Sequence, residues 1–174
     1  GGSCFPKDTS ALLRIAQEYG VASRIVEAVV EVNAAQRARM TRKIRVAVGG
    51  NEAGKTIAVL GLSFKPETDD IRDAPALTII ATMLEKGAVV HAHDPQAMAE
   101  AAKVLPEVQY FGNPYDACKG ADAVVLMTEW NEYRALDLAR IKSSMKEPVF
   151  IDLRNVYVPE NMKDLISALN EERQ

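Results

Sequence analysis

The chain has 174 residues, 48% of them hydrophobic and 26% charged, with a formal net charge of -3. That length suits one domain plus an extra element, and the weak acidity gives no reason to expect nucleic acid or an anionic membrane surface as a partner. No apolar run approaches the roughly 20 residues needed to span a bilayer, and two cysteines, Cys4 and Cys118, make neither a disulfide framework nor a metal-ligand spacing. No secretory signal opens the chain, so a reduced, cytoplasmic protein is expected.

The first eight residues, Gly1-Gly2-Ser3-Cys4-Phe5-Pro6-Lys7-Asp8, combine two permissive glycines, a thiol, a proline, a cation and an anion. A cysteine beside a lysine and ahead of a helix start is in the setting that lowers a thiol pKa. Two readings stay open at this point: an activated nucleophile in a tight turn, or a frayed end with a chance cysteine. Asp8-Thr9 reads as the start of a helix whose apolar stripe is Leu12, Leu13, Ile15, Ala16 and Tyr19, with Gly20 as its stop. A second helical pattern runs through Ile25, Val26, Val29, Val32, Gln36, Met40 and Ile44 to Gly49-Gly50. Its later half carries Arg37, Arg39, Arg42, Lys43 and Arg45. At roughly seven turns it is long for a globular helix, so it is expected to span two domains or pair with its copy in a second subunit.

Beyond the turn at Asn51–Gly54 the pattern changes to short apolar runs separated by helical stretches. Strands are expected at 56–61, 88–94, 108–111, 122–128 and 149–153, and helices at 73–87, 96–105, 115–119, 136–145 and 159–170. Asp73 is a candidate cap with Pro75 in the first turn. Five alternations of strand and helix predict an α/β, Rossmann-like parallel sheet with helices on both faces, preceded by the long helix.

Ligands of such sheets sit outside the C-terminal strand ends. Phe64 and Lys65 follow the first strand, Asp94 the second, Thr128 and Glu129 the fourth, and Arg154 the fifth. Lys65, Arg72 and Arg154 then make three cations on one rim, which suits a phosphate-bearing ligand. The competing reading for Arg72 is a salt bridge to Asp69, Asp70 or Asp73. In the first β-turn, Ser63 and Pro66 stand where a dinucleotide fingerprint needs glycines, so an NAD site in this domain is not expected. His91 and His93 read as packed or surface residues of one strand face, Cys118 as a small buried apolar residue, and Trp130 as packing.

The segments GGSCFPKDT, GKTIAVLGLSFKPETDDIRDAPA, VLMTEWNEYRALD and FIDLRNVYVPE resemble, in order and spacing, successive motifs of the UDP-glucose 6-dehydrogenase family. Phe5 and the TEWNEYR stretch favour UDP-glucose over GDP-mannose. The resemblance implies a three-part protein: an NAD-binding Rossmann domain, a central dimerising helix, and a UDP-binding Rossmann-like domain. This chain is expected to hold the end of the helical middle with the cysteine (1–50) and the C-terminal UDP-sugar domain (51–174), without the NAD domain and its catalytic lysine, asparagine and glutamate.

By the same resemblance, Cys4 is the nucleophile of a two-step oxidation of UDP-glucose to UDP-glucuronate, and Asp8 organises the hydrolytic water. Gly1 contacts the sugar, and Phe5, Phe64, Lys65 and Arg154 belong to the substrate site. Lys7 and Arg72 reach towards NAD. Two other readings compete with this one: a non-catalytic nucleotide-sugar-binding or dimerising module, and a related GDP-mannose dehydrogenase. A stand-alone NAD-binding domain is argued against by the missing glycines.

Overall fold

The computed structural model describes residues 4–158 and the backbone of 167–168. Two helices lead into the sheet. Helix α1 (Cys4–Glu18) begins at the cysteine itself, not at Asp8. The cysteine therefore lies in a first helical turn rather than in a turn ahead of the helix. Pro6 is tolerated there because the first amides of a helix have no intrahelical acceptor to lose. The helix stops at Gly20 (φ 66°), where Gly20 N–H bonds the Gln17 carbonyl at 3.1 Å and Val21 N–H bonds the Ala16 carbonyl at 2.8 Å. This paired closure needs a left-handed residue, which glycine supplies at little steric cost.

Helix α2 (Arg24–Ala47) has 24 residues, close to the expected seven turns. Ile44 is its one fully buried side chain, seated in the core of the sheet domain, with Met40 and Ala47 partly buried beside it. Burying such a side chain is worth about 1.5–3 kcal/mol, which anchors the C-terminal end of α2. Its other end packs against α1 and keeps an exposed apolar face, on which Ile25 is 82% exposed.

The sheet comprises β1 (Thr56–Leu60), β2 (Val89–His93), β3 (Gln109–Tyr110), β4 (Ala123–Leu126), β5 (Val149–Asp152) and β6 (Ser167–Ala168). All pairings are parallel, in the order β3-β2-β1-β4-β5-β6. Between the strands lie α3 (Pro75–Glu85), α4 (Met98–Val104), α5 (Pro114–Cys118), the single turn α6 (Asn131–Arg134) and α7 (Leu138–Ser144). Along β1 the side chains alternate between two cores. Ile57 and Val59 pack with Ile79, Ile80, Met83 and α2's Ile44, whereas Ala58 and Leu60 pack with Leu126, Tyr133, Ile141 and Phe150. Because helices cover both faces, the central strands read as continuous apolar runs rather than as alternations.

Three local expectations change. Asp73 does not cap α3: it takes a positive φ of 54°, and the cap position is Ala74, in extended conformation and without a side-chain bond. Pro75 does occupy the first turn. The helix expected over 159–170 is contradicted at Ser167–Ala168, which pair with Val149 and Phe150 as a sixth strand; the rest of that segment lies outside the described residues. Residues 131–134 form a helical turn that periodicity does not predict, since one turn carries no repeat.

Candidate functional site

The order 3-2-1-4-5-6 reverses direction between β1 and β4, and a crevice opens beyond their C-terminal ends. Gly61, with φ 98°, makes the exit from β1. A Cβ there would fall 2.5 Å from Thr128 Cβ and 2.6 Å from the Thr128 backbone nitrogen, so only glycine lets the two strand ends approach. The loop that follows is bound to the protein's own groups. Asp94, fully buried at the end of β2, accepts bonds at Oδ2 from Leu62 N–H (2.7 Å), Ser63 N–H (3.1 Å), Ser63 Oγ (3.2 Å) and Trp130 Nε1 (3.2 Å). Its Oδ1 accepts from Gln96 and Ala97 N–H at 3.0 and 2.8 Å. Thr128 Oγ1 donates to the Ser63 carbonyl at 2.7 Å.

A dinucleotide site uses this region differently, leaving amides free for a pyrophosphate and an acid for a ribose hydroxyl. Here the acid is consumed by the loop amides, and Ser63 and Pro66 replace glycines. The residues present do not fit NAD at this strand end. Sequence reasoning placed Asp94 at a strand end without giving it this role. The signal for its capping half was an acid followed by Pro95 ahead of a helix.

Of the three rim cations, two are paired within the chain. Arg72 grips Asp70 with two bonds, Nε to Oδ1 at 3.0 Å and NH2 to Oδ2 at 2.8 Å. Those bonds, with one from the Arg72 N–H, hold the Asp70 carboxyl down to about 2. Asp70 in turn raises the Arg72 pKa, chiefly through the same side-chain hydrogen bonds. Arg154 meets Glu129 in a second fork, Nε to Oε2 at 2.5 Å and NH2 to Oε1 at 2.8 Å. The Arg154 bond holds Glu129 below the usual carboxylate range against the opposing effect of burial. Lys65 lies over the Phe64 ring, with Nζ 5.4 Å from its centre.

A cleft of about 390 Å³ opens where the two leading helices meet the sheet domain. It brings together Phe5 from α1, Asn33 and Arg37 from α2, Phe64 from the β1 loop, Ile79 from α3 and Arg154 beyond β5. Three sequence-predicted residues, Phe5, Phe64 and Arg154, therefore share one cavity. Cys4, Lys7, Asp8, Lys65 and Arg72 are not part of its wall. Cys4 is exposed, and Lys7 and Asp8, both exposed, pair with each other at 3.4 Å. Gly1 lies outside the described residues. Arg37 and Asn33 were not singled out from the sequence, because their place in the cleft depends on how α2 docks.

The remaining candidates are structural. His93 Nδ1 lies 2.9 Å from the Tyr133 hydroxyl, itself a donor to the His93 carbonyl, and burial lowers the histidine pKa. His91 Nδ1 is 3.1 Å from the Ala117 carbonyl. Cys118 is buried, and burial pushes its thiol up to about 12. Among the described residues no group of three or more His, Cys, Asp or Glu side chains could hold a metal, and no helix is long and apolar enough to cross a membrane.

The strand order and the cleft at the switch point define a Rossmann-like α/β domain with a ligand crevice on its C-terminal edge. The chain belongs to the UDP-glucose/GDP-mannose dehydrogenase family: residues 58–159 match its UDP binding domain and residues 1–35 its central domain. It is 49% identical over 157 residues to the UDP-glucose 6-dehydrogenase of Rhizobium meliloti (strain 1021), covering 90% of this chain and 36% of that protein. UDP-glucose 6-dehydrogenase TuaD of Bacillus subtilis (strain 168) is 46% identical over 164 residues, 94% of this chain and 35% of the relative. The structure of a UDP-glucose dehydrogenase from Pyrobaculum islandicum superposes with a TM-score of 0.80 at 36% identity, covering 90% of this chain and 34% of that one. The chain thus spans about a third of the length of the relatives it matches.

Proposed function

We propose that this chain is the UDP-sugar-binding and cysteine-bearing part of an NAD-dependent UDP-glucose 6-dehydrogenase. The observation that carries the reading is the cleft in which Phe5, one residue from the cysteine, faces Phe64 and Arg154 of the sheet domain. Its location, on the C-terminal edge of a domain that matches a UDP binding model, supports a UDP-sugar as the occupant. The cleft has room for part of a nucleotide-sugar and offers aromatic and cationic groups of the kind that hold bases and phosphates.

In the complete enzyme the exposed Cys4 is the nucleophile. Its thiolate adds to an aldehyde at the sugar C6, giving a thiohemiacetal. Removal of hydride from that carbon leaves a thioester, and water cleaves it to a carboxylate, returning the thiol. The aldehyde itself arises by loss of a first hydride from the C6 alcohol. The acceptor for each of the two hydrides would be NAD, held elsewhere in the complete enzyme because the β1 loop of this chain does not fit it. Asp8, beside the cysteine on α1, orders the hydrolytic water once its pairing with Lys7 opens. In the complete enzyme Lys7 and Arg72 are assigned to the cofactor, and Gly1 and Lys65 to the sugar nucleotide.

Helices α1 and α2 supply a subunit interface. No side chain of α1 is buried, and Leu12, Ile15, Tyr19 and Val32 are all more than half exposed. An apolar surface of this extent is unfavourable in water unless a second copy covers it.

Calorimetric titration with UDP tests the reading. The chain is expected to bind UDP, and Phe64→Ala to weaken that binding about tenfold, in line with the loss of one aromatic contact. Absence of UDP binding, or equal binding by the Phe64 variant, would sink it.

A further inference from the structure

We infer that Arg37, on the face of α2 that lines the cleft, is the cation that receives the phosphates of the bound nucleotide; the inference rests on the UDP-sugar reading above. Rim position alone would give that task to Lys65, Arg72 and Arg154. Their contacts argue otherwise. Arg72 has its Nε and NH2 on Asp70, and Arg154 has the same two groups on Glu129. In each pair a carboxylate balances the charge and occupies the fork that would grip a phosphate. Lys65 leans on the Phe64 ring and does not line the cavity.

Arg37 differs in both respects. It lines the cavity, and its NH2 donates to a neutral acceptor, the Asp73 carbonyl, at 3.2 Å. Among the described residues no carboxylate forms an ion pair with it. Asp73 is the one acidic residue among those lining the cleft, and its contact with Arg37 is through the backbone carbonyl, not the carboxylate. A guanidinium has five N–H donors, and one contact leaves most of them available. Helical spacing sets its neighbours: Asn33, Gln36, Arg37 and Met40, three or four residues apart, face the cavity together. Asn33 directs Nδ2 to the Val29 carbonyl of its own helix at 3.0 Å and is neutral, which leaves the charge on that face to Arg37. The anchoring of α2 through Ile44 holds this face in place. The two arginines thus divide the work. Arg154, neutralised by Glu129, supplies shape and orientation, and Arg37 supplies net positive charge.

Three probes are titrated into the chain and into its Arg37→Gln and Arg37→Lys variants: UDP, uridine and inorganic pyrophosphate. Thermal melting is recorded for each variant to establish that substitution of this half-buried residue leaves the fold intact. The expected result is a ten- to hundredfold weaker affinity of Arg37→Gln for UDP and pyrophosphate. Uridine affinity should be unchanged, and Arg37→Lys should recover part of the loss. Equal weakening for UDP and uridine would show that Arg37 only ties the Asp73 segment to α2, and would overturn the inference. So would unchanged UDP affinity in Arg37→Gln. If the unsubstituted chain binds pyrophosphate through Arg37 but shows no preference for UDP, the phosphate role stands and the UDP-sugar reading falls. If it binds none of the three, both fall.

Discussion

At the scale of single residues, the two cysteines differ in exposure and therefore in chemistry. Cys4 is exposed at the start of α1, while Cys118 is packed between α5 and the sheet with its thiol pushed up to about 12. Alkylation requires an accessible thiolate. Iodoacetamide at neutral pH is expected to modify Cys4 alone in the native chain and both thiols in urea, with Cys4→Ser unmodified until unfolded; peptide mass mapping reads the result. Asp70 makes a second residue-scale prediction. Its folded pKa of about 2 lies below the ordinary 3.8, so the carboxylate favours the folded state above pH 3.8. That contribution is lost as the pH falls through about 2. Asp70→Asn should therefore show a shallower loss of stability than the unsubstituted chain across this window, measured by urea unfolding at a series of pH values. Equal slopes would mean that the Arg72 pairing contributes nothing to stability.

Among the secondary-structure elements, α2 carries the sharpest expectation. A helix that buries Ile44 in the sheet core at one end leaves an exposed apolar face at the other, where Ile25 is 82% exposed. Placing charges on that exposed face, as in Ile25→Asp with Val32→Asp, is expected to shift the chain from dimer to monomer in sedimentation equilibrium while leaving the sheet domain folded. A monomeric unsubstituted chain would remove the case for an interface here. The central strands β1, β4 and β5 and the helix α3 were legible to within a residue or two, because sustained apolar runs and a proline start are local signals. The turn α6 and the strand β6 were not legible. Four residues in one and two in the other are too few to show a period, and β6 is defined by its register against β5.

For the molecule as a whole, the proposed function divides the labour between a UDP-sugar cleft on this chain and redox chemistry in the rest of a longer enzyme. The β1 loop is held closed by Asp94 and lacks the glycines a pyrophosphate would press against. Mixing the chain with UDP-glucose and NAD is accordingly expected to give no NADH absorbance, whether or not the calorimetric titration detects UDP binding. Turnover by this chain alone would overturn that division. The sequence by itself determined the two leading helices, the alternation of the first five strands with helices, and the ring and cation at the ends of β1 and β5. These are local: periodicity marks elements, and a parallel sheet puts its ligand residues just past its strand ends. Tertiary structure alone decided which charges are available. Arg72 and Arg154 found Asp70 and Glu129, Asp94 turned inward onto loop amides, and docking of α2 through Ile44 brought Arg37 to the cleft. A side chain's charge is set by its type, but the field it leaves for a ligand depends on partners that only the folded chain brings within bonding distance.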